Sequence, residues 1–181
     1  MGLSSLLQYA VFLLVVALVV KPIGGYLMRV FNGEKTFLDP ILRPVERLIY
    51  ALARVDPKRE TDWKGYATSF VCSGLAGTLL LYGILRLQYL LPWFFPAYHT
   101  TPLTPDLAMN TAVSFSTTTT WQAYAGESTM TYFSQMVGLT AQGFLAGSSG
   151  LAVGIAFIRG LARDETNKLG NFWVDLVRAS L

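Results

Sequence analysis

A hydroxyl-rich stretch near the middle of the chain, residues 114–122, has the side chains best suited to binding chemistry. It reads SFSTTTTWQ and follows residues 105–113, which have the features of a short helix. Thr104 is a suitable N-cap for this helix, Pro105 fits its first position, and Asp106 complements the positive end of its dipole. The other end of the helix favours a cation, for which backbone carbonyls and threonine hydroxyls are suitable oxygen ligands. The pattern therefore predicts an alkali-cation site formed by Thr117, Thr118, Thr119 and Thr120, flanked by Ser116, Trp121 and Gln122.

A run of four threonines is also typical of a low-complexity extracellular linker, so the rest of the chain has to decide between the two interpretations. Of the 181 residues, 52% are hydrophobic and 14% are charged, whereas about 25% of the residues in soluble domains are charged. This composition indicates one small integral membrane domain. The formal net charge of +3 does not indicate binding to nucleic acid, because the basic residues are confined to particular loops.

Several kinds of catalytic or metal site are excluded by composition. Cys72 is the only cysteine, so it has no partner for a disulfide or a thiolate metal site. His99 is the only histidine, which excludes a multi-histidine metal centre and a conventional Ser-His site within one chain. The sequence also has no P-loop, no DKTG-type phosphorylation motif and no acid–base pair at membrane depth. We therefore expect no catalytic site in this chain.

The distribution of charge predicts how the chain crosses the membrane. Residues 3–20 form an uncharged run closed by Lys21 and Pro22. They predict a retained transmembrane helix rather than a signal peptide, because a basic n-region and an A-x-A-like cleavage site are missing. Residues 21–64 contain nine of the fourteen lysines and arginines, which predicts a cytoplasmic segment and an N-terminus outside. Within it, residues 45–54 have the amphipathic spacing of a helix at the membrane interface.

Two further spans are predicted at residues 67–85 and 129–158. Residues 87–127 contain no lysine or arginine and should lie outside, whereas residues 159–181 contain four and should lie in the cytoplasm. The helix at residues 105–113 is only about half as long as the hydrocarbon core is thick. A half-length helix that runs into a polar coil between two spans predicts a re-entrant loop, since irregular backbone at membrane depth requires cover from protein or water.

Polar and small residues inside the third span predict which of its sides face protein. Gln135 and Gln142 should face protein or water rather than lipid. Four glycines lie on one helical stripe, which favours close approach of a neighbouring helix. They are Gly143, Gly147, Gly150 and Gly154.

These segments together predict an all-α integral membrane protein with three transmembrane helices, a re-entrant pore helix and a filter loop. We divide it into an N-terminal helix with a cytoplasmic amphipathic loop (residues 1–66), a helix–pore loop–helix repeat (67–158) and a cytoplasmic interfacial tail (159–181). The repeat has the plan of potassium channels and their relatives. This context favours a selectivity filter over a linker.

Four stretches that cover most of the chain beyond the first helix resemble one family. They are VERLIYALARVDPKRETDWKGY (45–66), DLAMNTAVSFSTTTTWQAYAGEST (106–129), YFSQMVGLTAQGFLAGSSGLAV (132–153) and LGNFWVDLVR (169–178). In this order they resemble KdpA, the potassium-binding subunit of the bacterial Kdp potassium-importing ATPase. The NTAVSF string followed by TxTxWQxYxGE is the most specific part of the resemblance.

The resemblance implies a potassium filter whose carbonyls come from four helix–pore–helix repeats, with Gln122 beside the filter at its extracellular mouth. It also implies a multi-pass protein of the bacterial inner (plasma) membrane, surrounded by lipid. The implied partners are a P-type ATPase subunit that hydrolyses ATP, two small membrane subunits and further helix–pore–helix repeats.

The chain departs from the family pattern at three residues and in length. Thr118, Thr120 and Gly143 stand where the family usually has asparagine. Backbone carbonyls survive these changes, whereas side-chain hydrogen bonds that brace the loop would be lost. The family protein continues through three further repeats, and one repeat supplies only one wall of a filter. We therefore expect either the N-terminal portion of a split or truncated protein or an assembly of four copies.

Three functions remain open from the sequence. The first is a potassium-binding and translocating subunit of an ATP-driven, high-affinity import complex. The second is a homotetrameric passive potassium channel, and the third is a non-conducting assembly fragment that docks through its glycine stripe. The size of the particle in mild detergent, alone and with ATPase subunits, distinguishes these possibilities.

We predict that a cysteine at position 34 is labelled only from the cytoplasmic side and one at position 98 only from outside. The variants are Glu34→Cys and Tyr98→Cys in a Cys72→Ala background, and the reason is the asymmetric distribution of lysine and arginine. Labelling of intact cells with a membrane-impermeant maleimide measures this. Labelling of both positions from outside would contradict the predicted topology.

Overall fold

The structure, a computed structural model, describes residues 3–90, 102–164 and 166–181. The chain forms two compact units, Met1–Ile49 and Tyr50–Leu181. In the described part of the chain, three helical stretches are long and apolar enough to cross a membrane: Ser4–Asn32, Trp63–Leu90 and Ser134–Ala162. The predicted all-α membrane protein with three long apolar helices is thus confirmed at this level. Tyr98 and His99 lie outside the described residues.

The first unit contains α1 (Leu3–Asn32) and most of α2 (Asp39–Ala53). The sequence interpretation started a loop at Lys21, which is wrong, because α1 continues through Pro22 to Asn32. Proline removes one backbone donor, and Gly24 and Gly25 after it are poor helix formers, but a membrane-spanning helix tolerates both kinds of residue. Gly33 has a φ of 73° and ends α1 in the left-handed conformation that glycine adopts without strain.

Helix α2 contains residues 45–53 of the predicted amphipathic segment (45–54) but begins earlier, at Asp39. At its start the Thr36 hydroxyl donates a hydrogen bond of 2.7 Å to Asp39 Oδ1. Arg54, which has a φ of 53°, follows its last residue. Ile41 and Leu48 expose their side chains on one face of the helix, as an interfacial helix requires.

In its described residues, the second unit consists of helices, the loops between them and one short strand pair. Its elements are β1 (Thr61–Asp62), α3 (Trp63–Leu87), α4 (Pro105–Ser116), α5 (Gly126–Thr129), α6 (Ala141–Ala162), β2 (Lys168–Gly170) and α7 (Phe172–Ser180). A 3₁₀ turn, Gln88–Leu90, extends α3, and a π-helical segment, Ser134–Thr140, leads into α6. The strands pair antiparallel. Strands of two and three residues are too short to show the alternating pattern by which a sequence reveals a strand.

Two buried clusters of apolar residues hold the second unit together. The first joins α3 to α4 through Leu81, Leu85, Ala108, Ala112 and Phe115. The alanines allow α4 to lie close to α3, because they bring little bulk between the two backbones. The second cluster joins α3, α6 and α7 through Tyr66, Ala152, Ala156, Phe172 and Leu176.

The third span begins at Ser134 and not at the predicted residue 129. Residues 126–129 form the separate helix α5. Thr131 then acts as an N-cap, since its hydroxyl accepts a hydrogen bond of 3.1 Å from the backbone N–H of Ser134. This cap starts the helix at Tyr132, so Met130 and Thr131 separate α5 from the third span.

Among the described residues, no other part of the chain packs against the predicted glycine stripe. A Cβ at Gly143, Gly147, Gly150 or Gly154 would have no described atom outside its own helix turn within 4 Å. Packing of a neighbouring helix on this stripe therefore stays a prediction. Close approach occurs on other glycines, Gly77 and Gly138, where an added Cβ would lie 2.7 Å and 3.0 Å from its nearest neighbour.

A buried ion pair fixes α7 against α6 and α3. Asp175 of α7 is 1% exposed and accepts hydrogen bonds from both terminal nitrogens of Arg159 of α6, at 2.6 and 3.0 Å. The Tyr66 hydroxyl of α3 lies 3.0 Å from the same carboxylate and 2.8 Å from the carbonyl of Ala152. A buried carboxylate requires such partners. The sequence interpretation described residues 159–181 only as an interfacial tail, and that location stays a prediction.

We expect Asp175→Asn to destabilise the second unit by about 3 kcal/mol, because breaking a buried ion pair leaves the arginine charge poorly compensated. Tyr66→Phe keeps the ring and should cost about 1 kcal/mol. The control is Glu60→Gln, which removes the exposed pair between Glu60 and Arg163 and should change stability little. Thermal unfolding of the purified chain in detergent measures all three. Equal effects of Asp175→Asn and Glu60→Gln would contradict the prediction.

Candidate functional site

The candidate site begins with α4, whose predicted start is confirmed. Thr104 caps the helix by accepting a hydrogen bond of 3.3 Å from the backbone N–H of Leu107, and Pro105 occupies the first turn. The helix ends at Ser116, three residues beyond the predicted end at Val113. Its 12 residues correspond to about 18 Å, roughly half the thickness of a hydrocarbon core.

The predicted ligand residues form one continuous turn directly after α4. Thr117 is the C-cap, and its backbone N–H donates to the carbonyl of Val113. Thr118 and Thr120 have φ angles of 60° and 54°. A β-branched residue at positive φ is an outlier, because its Cβ crowds the backbone at a cost of about 1–2 kcal/mol. Strain of this kind persists only where the surrounding structure imposes it, and it is concentrated at functional sites.

Hydrogen bonds to one carbonyl impose this strained conformation. The backbone N–H groups of Thr119 and Thr120 both donate to the carbonyl of Ser114, at 3.0 and 3.2 Å. The Ser114 hydroxyl, which is buried, donates at 3.3 Å to the carbonyl of Trp121. The turn therefore folds back onto the last turn of α4.

The oxygen atoms of this turn differ in their availability. The carbonyl of Thr117 accepts a hydrogen bond of 2.6 Å from the Thr118 hydroxyl. Among the described residues, no donor contacts the carbonyls of Thr118, Thr119 or Thr120. The residues from Thr117 to Gln122 are exposed in this chain. The turn thus presents three backbone carbonyls that can accept a cation.

The ligands offered here are neutral. Within the described ranges, no group of three His, Cys, Asp or Glu side chains could hold a metal ion. Neutral oxygen ligands suit a monovalent cation, because they replace its hydration shell without trapping it. Trp121 and Gln122 are exposed beside the turn, and Ser116 is the last residue of α4. The ion-binding roles of all these residues stay predictions.

Two glutamines of the third span support the turn by donating hydrogen bonds to residues on either side of it. Gln142 is 8% exposed, and its Nε2 donates to Ser116 Oγ at 3.1 Å. Gln135 donates through Nε2 at 3.3 Å to the carbonyl of Gly126, the first residue of α5. The prediction that both glutamines face protein or water is therefore confirmed.

Sequence reasoning missed two further supports at the end of α3. Gln88 is 2% exposed, donates to the carbonyl of Thr129 at 2.9 Å and accepts from the backbone N–H of Thr131 at 3.2 Å. Arg86 donates to the carbonyl of Leu103 just before α4. Their polar character at the end of an apolar span is the sequence signal that could have revealed both residues, since polar groups in such a place need partners inside the protein.

We predict that Thr118→Gly raises the stability of the chain by about 1 kcal/mol, because glycine adopts positive φ without strain. Thr119→Gly is the matched control, since Thr119 has no positive φ; there the added flexibility should lower stability by about 0.5–1 kcal/mol. Thermal unfolding in detergent measures both changes. Destabilisation by both variants to the same extent would contradict the strain argument.

Comparison with known proteins agrees with the resemblance seen in the sequence. The family model described as "KdpA: Potassium-transporting ATPase A subunit" matches residues 10–181. The proteins named potassium-transporting ATPase potassium-binding subunit of Methylorubrum extorquens and Rhodospirillum centenum are 50% and 49% identical over 181 residues. Each comparison covers 100% of this chain and 31% of the relative.

A third relative, from Allorhizobium ampelinum, carries the same name and is 47% identical over 100% of this chain and 32% of its own length. The chain therefore spans about a third of the length of the curated relatives it matches. Because the family model covers nearly the whole chain, this chain belongs to the KdpA family of potassium-transporting ATPase A subunits.

Proposed function

We propose that this chain is a potassium-binding segment of an ATP-driven potassium import complex and contributes one wall of its selectivity filter. The observation that carries the proposal is the strained turn after α4, in which the carbonyls of Thr118, Thr119 and Thr120 have no donor among the described residues. The relatives are named potassium-binding subunits of a potassium-transporting ATPase. ATP would be hydrolysed by a separate subunit.

A re-entrant arrangement accounts for the half-length of α4. The helix lies in the chain between two apolar helical stretches of 28 and 29 residues, each long enough to span a bilayer. Buried residues of α4 pack against α3, so α4 is held inside the repeat. Its C-terminal end, where the dipole is negative, leads directly into the turn and favours a cation there.

Exposure of the turn implies that other protein completes the site. Irregular backbone at membrane depth has to be covered by protein or reached by water, yet residues Thr117 to Gln122 are exposed in this chain. One turn offers carbonyls on one side of an ion, whereas dehydrated potassium needs ligands all around it. Further helix–pore–helix repeats are the partners that fit this requirement.

The remaining partners and the location follow from the family. We propose a P-type ATPase subunit and two small membrane subunits as partners, in the lipid of a bacterial inner membrane. The charge distribution favours an N-terminus outside and a C-terminus in the cytoplasm. A homotetrameric passive channel is the alternative, and potassium uptake that continues without an ATPase subunit would favour it.

We predict that Gln122→Arg sharply reduces potassium uptake at limiting potassium, whereas Thr118→Ala has a much smaller effect. At about 6 Å and an effective dielectric constant of about 20, a positive charge beside the ion costs about 3 kcal/mol, or roughly a hundredfold in affinity. Thr118→Ala keeps the backbone carbonyl. The measurement is uptake by the assembled complex in cells without other potassium importers.

Gln122→Met is the control for this prediction, because it keeps the approximate size of the side chain without adding charge. It should change uptake far less than the arginine. Unchanged uptake with Gln122→Arg, together with loss of uptake with Thr118→Ala, would refute the assignment of backbone carbonyls as the ligands.

A further inference from the structure

Gln142 is a buried polar side chain that lies at the meeting point of three helices. It follows the π-helical segment Ser134–Thr140 by two residues, near the start of α6. Its Nε2 donates a hydrogen bond of 3.1 Å to the hydroxyl of Ser116, the last residue of α4. Short π-helical segments within longer helices are frequent at functional sites.

Gly77 of α3 provides the room for this side chain. A Cβ at Gly77 would lie 2.7 Å from both Nε2 and Oε1 of Gln142, which is closer than two such atoms approach in proteins. The amide of Gln142 therefore lies directly against the backbone of α3. Because it is the flexible end of a long side chain, a methyl group at position 77 would displace the amide rather than separate the helices.

The contact with Ser116 is placed where it can control the ion-binding turn. Ser114, two residues earlier, holds the amides of Thr119 and Thr120 through its carbonyl. The strained residue Thr118 is two residues beyond Ser116. A shift of Ser116 would therefore move the group that holds the turn in its strained conformation, and with it the three available carbonyls.

The cost of burying Gln142 suggests that this contact has a role beyond packing. A polar side chain inside an apolar span is unfavourable unless it is hydrogen-bonded, and an apolar side chain of similar size would fill the space without that requirement. The amide instead connects α6 to the end of α4 across the backbone of α3. This arrangement defines the position of the turn relative to both flanking spans.

We propose that Gln142 is a positioning residue for the ion-binding turn and that Gly77 is the residue that allows it to act. The inference rests on the proposed function, because it assigns Gln142 a role in the affinity for potassium. Displacement of the amide should loosen the turn and weaken potassium binding, while the rate at saturating potassium changes little.

The test is Gly77→Ala in the full chain, assembled with the subunits of the uptake complex. We expect the KM for potassium to rise about fivefold, the effect of one lost hydrogen bond, with the maximal rate within about twofold of the unmodified complex. Gly83→Ala is the matched control, because a Cβ at Gly83 on the same helix would have no described atom within 4 Å. It should leave the KM unchanged.

Two further variants keep the proposal falsifiable if Gly77→Ala impairs folding. Ser116→Ala removes the acceptor and should raise the KM to a similar extent. Gln142→Ala should do the same, and adding Gly77→Ala to it should have no further effect, because the shortened side chain no longer reaches position 77. Fully additive effects of the two changes would overturn the proposal.

Hydrogen exchange of the purified full chain in detergent tests positioning without transport. In Gly77→Ala and Ser116→Ala, the amides of Thr119 and Thr120 should exchange faster, whereas those in the first half of α4 should not.

The outcomes separate this inference from the proposed function. If both variants show unchanged exchange and an unchanged KM, the positioning role is overturned, and potassium uptake by the unmodified complex would still uphold the proposed function. Faster exchange with no potassium-dependent uptake by the unmodified complex would uphold the positioning of the turn and refute the proposed function. A lower maximal rate at an unchanged KM would indicate a purely structural residue and overturn the proposal.

Discussion

Backbone polar groups at the end of α4 are the constraint on which the repeat depends. A helix leaves its last carbonyls without intrahelical partners, and at the membrane depth proposed for the end of α4 water is not freely available to satisfy them. In this chain the carbonyl of Ser114 receives the amides of Thr119 and Thr120, so part of this requirement is met by folding the turn back onto the helix. The carbonyls of Thr118, Thr119 and Thr120 accept no hydrogen bond from the described residues, which makes the turn suited to a cation.

Side-chain amides maintain this arrangement from the two spans that flank it. Gln142 contacts the end of α4, Gln135 contacts the chain beyond the turn, and Gln88 fixes the segment that leads into the third span. Glutamine suits this task because it donates and accepts hydrogen bonds without adding a fixed charge next to the proposed cation site. The turn is therefore supported at its beginning and beyond its end, while its carbonyls remain available.

The other end of the repeat is held by a different kind of interaction. Asp175, Arg159 and Tyr66 form a buried charged network, where the predicted topology puts the cytoplasmic side. The buried charges of Asp175 and Arg159 are tolerated there because they compensate each other, and removal of either one costs stability. Charged contacts thus fasten α7, whereas the hydrogen bonds to the turn itself and to the end of α4 come from neutral groups. A fixed charge there would disturb the cation that we propose binds to the turn.

Local patterns in the sequence determined the three long apolar helices, the capped start of α4 at Thr104 and the hydroxyl-rich segment after it. These features depend on neighbours within one or two helical turns, so composition, spacing and capping residues reveal them. The family resemblance rests on the same strings. Only the tertiary structure decided that Thr118 and Thr120 adopt positive φ, that Gln142 lies against Gly77, and that Tyr66 meets Asp175, 109 residues away. Such contacts join segments far apart in the chain, and their partners follow from how the helices pack and not from the residues beside them.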